Sequence, residues 1–471
     1  MPRRDSEVGC IIPDPGHWPV DPQEDAATLD DDSLWIDGCF DFFHHGHAGV
    51  MLNARKLVGA TPSTGALSVG IHSDAEILKN KGPTVMNLEE RVAAVDACRW
   101  STKSVPDAPY VTSLAWIGHY GCRYVVHGDD ITSDANGNDC YRFVKRAGRM
   151  KIVPRTPGIS TTDLVGRMLL CTKEHFIKSL EEVLEGKEGM GEEEERKARG
   201  NAMLKRFREY ASAPNTIDPY VSVEHNPGRG DFNPIVPGHR PRPGQRVVYV
   251  DGGFDLFSSG HIAFLQRVAE LETEHGRQSD WFTDSARETR IRDHGEDYGP
   301  AYVIAGVHDD DVINFYKGIN YPIMNIFERG LCVVQCTYIH AVVFGAPFVP
   351  STLFLRSLPG VNEPTAALVP RAPDAVYHGP TSFMSTPVDP YADAKALGIF
   401  TDVGEHRFQD VNSAQIVQRI LDNRVQYEER QRKKGVKSVG EEATRRREEM
   451  QVEAEEELQR RRREVERLYG A

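Results

Sequence analysis

The chain has 471 residues, a net charge of -14 and 39% apolar residues, a length that predicts two domains and an acidity that argues against general nucleic-acid binding. No run approaches the roughly 18 apolar residues of a membrane span, and no apolar stretch of signal-peptide type opens the chain. The eight cysteines are scattered without a CxxC pair, so a cytoplasmic protein of the reducing compartment is expected.

In chain order, residues 1–30 are rich in acids and prolines and predict a disordered tail. Leu34-Trp35-Ile36 predicts a strand, and a helix follows from about Gly46. Its apolar residues Val50, Met51, Ala54, Leu57 and Val58 share one helical face. A second strand at residues 67–71, a Lys81-Gly82 loop, a helix at 88–98 and a strand ending at His127 come next. Strands alternating with helices predict an α/β fold, a parallel sheet with helices on both faces and a ligand site at the carboxyl ends of the strands. Residues 171–245 predict a linker, with a charged, solvated helix at 182–208 and a Pro/Gly/Asn-rich loop at 213–244. A second α/β domain is expected over residues 246–430, interrupted by a polar stretch at 272–299, and residues 431–471 predict a charged helical or disordered tail.

The second domain repeats the first over residues 31–170. Asp37-Gly38-Cys39-Phe40-Asp41-Phe42-Phe43-His44-His45-Gly46-His47 answers to Asp251-Gly252-Gly253-Phe254-Asp255-Leu256-Phe257-Ser258-Ser259-Gly260-His261. Residues 68–74 answer to 304–310 and residues 81–91 to 317–329. Residues 162–167 are echoed more weakly at 414–419. Matches in the same order imply a duplicated domain.

The first copy carries groups suited to a polyphosphate. Gly38 and Gly46 allow close backbone approach, the helix from Gly46 turns its unpaired N–H groups on the site, and His44 and His47 flank that turn. A histidine that only caps the helix is the alternative. Arg155-Thr156-Pro157-Gly158-Ile159-Ser160-Thr161-Thr162-Asp163 adds a guanidinium, hydroxyls and a second helix start. Lys81 adds a positive charge, or is a solvated loop lysine.

Together these motifs make residues 33–170 resemble cytidylyltransferases of the phospholipid-headgroup type. The tandem arrangement resembles the ethanolamine-phosphate cytidylyltransferase family, with two Rossmann-like nucleotidyltransferase domains. The resemblance implies transfer of CMP from CTP to phosphoethanolamine, with pyrophosphate released. It implies catalytic roles for His44, His47, Lys81 and Arg155. CTP would be bound by Gly38, Cys39, Phe40, Gly46, His127, Asp129, Gly158, Ile159, Ser160 and Thr161. Asp37 would be the counter-ion of the acceptor ammonium, or else a turn-stabilising aspartate, with Tyr110 as an aromatic wall and Arg99 near the acceptor phosphate. Mg²⁺ is expected to arrive on CTP, with no protein cage of its own. A homodimer is allowed, and peripheral membrane contact is not expected. Choline phosphate or glycerol 3-phosphate as acceptor, and a non-catalytic nucleotide-binding scaffold, are the alternatives. An NAD-type Rossmann protein is disfavoured because no GxGxxG follows the first strand.

The second copy departs where chemistry would be done. Ser258 replaces the first histidine, Pro380-Thr381 follows His378-Gly379 in place of an aspartate pair, and His406-Arg407 is at most a trace of the Arg155 motif. A catalytically silent second copy is expected.

Overall fold

The computed structural model describes residues 29–58, 65–130, 132–228, 232–361, 371–379, 389–423 and 425. Two short strands, β1 (Arg3–Arg4) and β2 (Ile11–Ile12), also pair antiparallel. The expected terminal tails otherwise lie outside the described residues.

The first copy runs β3 (Asp30–Gly38), α1 (His45–Arg55), β4 (Ala66–His72), α2 (Asp74–Lys81), α3 (Leu88–Asp96), β5 (Lys103–Ala108), α4 (Leu114–His119), β6 (Cys122–Gly128), α5 (Arg142–Arg146), β7 (Met150–Val153) and α6 (Thr161–Leu170). Its five strands are all parallel, in the order β5-β4-β3-β6-β7, so their carboxyl ends share one edge. Side chains alternate across this doubly buried sheet. Leu34 and Ile36 enter one apolar cluster, and Trp35 enters another on the opposite face. Lys81 ends α2 rather than lying in a loop, because Ser73 caps the helix by accepting the Glu76 N–H and Gly82 ends it at φ 97°.

The joining segment forms α7 (Leu180–Leu184), α8 (Glu193–Tyr210), β8 (Ser222–His225) and β9 (Asn233–Val236). The expected solvated helix is amphipathic instead. Phe207 and Tyr210 of α8 are buried, and the Phe207 ring meets those of Phe327 and Phe344. The expected loop supplies two strands to the second sheet, β8 being parallel to its neighbour and β9 antiparallel to β8. Short strands flanked by proline and glycine hid them from periodicity.

The second copy contains β10 (Arg246–Gly252), α9 (Ser259–Gln278), α10 (Asp284–His294), β11 (Ala301–Val307), α11 (Asp310–Lys317), α12 (Ile326–Val334), β12 (Ala341–Phe344), α13 (Thr352–Ser357), β13 (Ala375–His378), α14 (Ala392–Ala396), β14 (Phe400–Asp402) and α15 (Ser413–Asp422). Its sheet order is β14-β13-β10-β11-β12-β8-β9. The polar stretch at 272–299 is mostly helix, belonging to α9 and α10.

The copies do not have independent cores. One buried cluster takes Leu34, Met51 and Val95 from the first and Val250, Leu331 and Ile420 from the second. At its centre Cys98 and Cys336 form an antiparallel bridge, flanked by Arg99 N–H to Gln335 O at 3.1 Å and Thr337 N–H to Ala97 O at 2.9 Å.

Burial also fixes an acid response. Desolvation lowers His45 and His261 to about 3 and His340 to about 4, all below the ordinary value of 6.5. These groups are neutral in the fold and charge more readily when unfolded. Their stabilisation is present above pH 6.5 and lost as pH falls towards the folded values, at about 1.4 kcal/mol per pH unit for each group. Urea unfolding at pH 7, 6 and 5 should show a falling midpoint, and a flat profile contradicts the assignment.

Candidate active site

The first motif makes a tight turn at the carboxyl end of β3. Phe40 and Phe42 adopt φ of 54° and 48°, left-handed values rare outside glycine, and a Cβ on Gly38 would meet the Phe40 ring at 3.2 Å. His44 is the N-cap of α1, its Nδ1 accepting the Gly46 N–H at 3.1 Å, while His47 Nδ1 accepts the His44 N–H at 3.3 Å. An accepting Nδ1 carries no proton, so each neutral imidazole presents an Nε2–H. The two rings stack with centroids 4.0 Å apart at 16°. The backbone thus sets two parallel hydrogen-bond donors at a helix N-terminus.

The second motif is packed against the first. A Cβ on Gly46 would come within 2.8 Å of both the His44 ring and Ile159, which explains the glycine. Thr161 Oγ1 donates to Asp41 O at 3.2 Å, and Ser160 caps α6 by accepting the Asp163 N–H at 3.0 Å. The N-termini of α1 and α6 therefore converge. Arg155, half exposed, reaches Asp130 at 3.9 Å and so stands beside the loop after β6. His127 ends that strand with Nδ1 2.9 Å from Gly128 O, and Asp129 is exposed next to it.

Two groups that motif reading passed over hold this frame. The buried Asp41 carboxylate accepts the Val85 N–H at 3.1 Å and the Met86 N–H at 2.9 Å, fastening the segment after Lys81 to the histidine turn. Buried Arg91 donates to Met86 O, Cys39 O, His72 O and Asp74. Asp255 and Arg329 make the same bonds in the second copy. Their presence in both halves, one of them chemically altered, was the available signal of a framework role.

Asp37 is buried at the end of β3 and accepts from Trp35 Nε1 at 2.8 Å, Thr112 Oγ1 at 2.6 Å and the Tyr141 hydroxyl at 2.6 Å. All three donors are neutral, so they orient the carboxylate without cancelling its charge. Beside it His72 donates from Nδ1 to Ala108 O, and its ring lies 5.0 Å from that of Tyr110. Lys81 Nζ is 5.8 Å from the Tyr110 ring centre. Lys81 and Tyr110 therefore neighbour one another, and His72 links Tyr110 to Asp37, whose charge acts on the imidazole. Thr112 and Tyr141 were not singled out because their partner lies 75 and 104 residues away in sequence.

Arg99 requires a correction. It precedes β5, at the amino edge of the sheet, and its buried guanidinium donates to the carbonyls of Tyr210, Ser212, Cys336 and Ile339. It joins the two copies and does not reach the acceptor side.

In the second copy Ser258 Oγ donates to Val411 O at 2.7 Å, and the Val411 carbonyl lies over Gly260 where Ile159 covers Gly46. From the paired strand residues Ile152 and Asp402 to the helix caps Ser160 and Asn412, the second copy's loop is two residues longer, so it offers no single counterpart of Arg155. Arg407 instead bonds Glu89 of the first copy at 2.6 Å. The faint echo at the end of the repeat is an interface. Arg167 on α6 makes a two-pronged bond to Glu328 on α12, at 2.7 and 2.9 Å, and Arg419 on α15 makes its mirror image with Glu90 on α3, at 2.8 Å for both prongs.

Among the described residues no cluster of three or more acidic, imidazole or thiol groups could hold a metal, and no helix is long and apolar enough to cross a membrane. Residues 35–167 match the cytidylyltransferase-like family. The whole chain resembles the ethanolamine-phosphate cytidylyltransferase of Dictyostelium discoideum, at 37% identity over 86% of this chain and 95% of that protein. The Mus musculus enzyme of the same name is 36% identical, over 86% and 90%. The choline-phosphate cytidylyltransferase A of Rattus norvegicus is 38% identical, but over only 29% of this chain and 36% of that protein. The ethanolamine-phosphate cytidylyltransferases named here match over both copies and the segment that joins them, and the chain belongs to the ethanolamine-phosphate cytidylyltransferase family.

Proposed function

We propose that the first copy transfers CMP from CTP to phosphoethanolamine, yielding CDP-ethanolamine and pyrophosphate. The observation that carries this reading is the convergence of two helix N-termini and two Nε2–H imidazoles beyond the strand whose end bears Asp37, a buried carboxylate that among the described residues accepts from neutral donors. The acceptor's phosphate oxygen attacks the α-phosphorus in line, the new P–O bond forms, and the bond to the pyrophosphate oxygen breaks. The nucleophile is already an anion, so positioning and charge neutralisation suffice. His44 and His47 donate to phosphate oxygens as charge develops on them, the α6 terminus and Arg155 hold the triphosphate, and Lys81 stands between the substrates. Donors of this kind bind oxygen anions rather than cations, so Mg²⁺ would be carried in on CTP and would supply charge neutralisation at its phosphates.

Asp37 selects the acceptor. A primary ammonium can donate hydrogen bonds to it, whereas a quaternary one cannot and would need an aromatic cage. Asp37→Asn keeps the shape and removes the charge. It should raise KM for phosphoethanolamine at least tenfold, about 1.4 kcal/mol, and leave KM for CTP unchanged. Pyrophosphate release with phosphoethanolamine, choline phosphate and glycerol 3-phosphate tests the reading as a whole. Preference for either of the latter two refutes it.

The second copy lacks the paired imidazoles, and its Arg407 is bonded to Glu89 of the first copy. It does not turn over CTP.

A further inference from the structure

A cavity of about 530 Å³ opens at the carboxyl edge of the second sheet, away from the histidine pair. Its lining is selective in what it keeps from the first copy. The groups that face CTP have gone, namely the first histidine, the arginine and the Gly-Ile-Ser turn. The acceptor-side groups remain. Asp251 stands for Asp37, Tyr391 for Tyr141, Phe348 for Tyr110 and Lys317 for Lys81, and of the histidine pair one member is kept, His261 for His47. The Tyr391 hydroxyl donates to Asp251 Oδ1 as Tyr141 donates to Asp37. His261 Nδ1 accepts the Ser258 N–H at 3.1 Å, which leaves its proton on Nε2 at the head of α9.

Two substitutions open the carboxylate. Trp35 becomes Tyr249, whose hydroxyl approaches Asp251 without reaching a well-formed hydrogen bond, and Thr112 becomes Pro350, which has no donor. In consequence Asp251, 9% exposed and lining the cavity, has an Oδ2 that receives no hydrogen bond among the described residues. A buried carboxylate oxygen without a donor is costly unless a ligand supplies one. At the cavity mouth Lys317 Nζ, 3.0 Å from Ser413 Oγ, supplies the complementary positive charge.

We propose that the second copy holds a non-catalytic binding site for a small phosphomonoester bearing a primary ammonium, the ammonium on Asp251 and the phosphate on Lys317, His261 and the N-terminus of α9. The inference rests on the acceptor reading of Asp37, whose carboxylate Asp251 repeats. A nucleoside triphosphate is the poorer fit, because Arg407, the guanidinium of the loop before α15, is already bonded to Glu89 of the first copy.

The test uses the full-length Asp37→Asn chain, titrated with phosphoethanolamine by calorimetry without CTP. One equivalent per chain should bind. Adding Asp251→Asn or, at the exposed mouth, Lys317→Ala should weaken that binding at least tenfold. Inorganic phosphate and ethanolamine, each with half of the recognised chemistry, should each bind at least tenfold more weakly than phosphoethanolamine. No binding, or binding indifferent to both second-copy substitutions, overturns the inference. Wild-type CMP transfer to phosphoethanolamine is measured separately, so loss of this site and loss of the proposed reaction are distinguishable.

Discussion

Replacing His44 with alanine should lower kcat/KM for CMP transfer by about 100- to 1,000-fold, the usual cost of one preorganised donor to a developing oxyanion. The structure gives His44 two functions, and the experiment must separate them. Its Nδ1 caps α1 through the Gly46 N–H, and loss of an N-cap costs about 0.5–2 kcal/mol of stability. Its ring stacks on that of His47, with centroids 4.0 Å apart, and its Nε2 carries the proton. His44→Ser imports the residue that the second copy carries at Ser258, where the hydroxyl is within 3.1 Å of the following histidine. Serine is a good N-cap, so this variant should recover the stability lost in His44→Ala and none of the activity. Near wild-type turnover in a folded His44→Ala chain sinks the catalytic assignment. Equal activity losses tracking the two stabilities would reduce His44 to a cap.

The α/β class and the position of the site were legible in the sequence because each depends on local patterns. Alternating apolar residues marked β3 and β4, and the glycine-rich turn after β3 marked a helix terminus. What was not legible depends on long-range pairing. Family resemblance sets Arg99 near the acceptor phosphate, yet its position before β5 sends it to the opposite edge of the sheet, into four carbonyls from the joining segment and the second copy. β8 and β9 carry too few residues to show a period, and only the second sheet gives them a place. Lys81 looked like a loop residue because Gly82 follows it, although that glycine is the stop signal of a capped helix. Thr112 and Tyr141 bear on Asp37 across the fold, so no spacing rule points to them. The duplication supplies a criterion that does not need other sequences. Asp41/Asp255 and Arg91/Arg329, kept in both halves with the same bonds, build the frame, and His44, kept in the first half alone, marks where the copies part in chemistry.

Arg167→Ala should destabilise the chain by about 3–5 kcal/mol, the cost of removing one partner from a buried ion pair. The guanidinium makes both prongs to Glu328, donates to Ile323 O at 3.0 Å and pairs with Asp163 at 2.7 Å. Glu328 is 5% exposed and also accepts the Asn325 N–H at 2.9 Å, so it closes the capping box of α12. Burial pushes its carboxyl up while Arg167 pulls it down, and without the arginine the desolvation is uncompensated. Glu328→Gln retains the cap and removes the charge, so the double variant Arg167→Leu/Glu328→Gln should regain most of the loss in urea unfolding. The cycle therefore separates the stranded charge from the net worth of the pair, which is small when both partners are replaced. Activity offers an independent reading. Arg167 lies on α6, whose first residues, Ser160 and Thr161, stand against the histidine turn, so loosening it should raise KM for CTP more than KM for the acceptor. A destabilisation within about 0.5 kcal/mol of zero, the range of an exposed pair, would mean that the second copy leans on the first without bracing it. A large loss of stability with an unchanged KM for CTP would confine the brace to folding and detach it from the site.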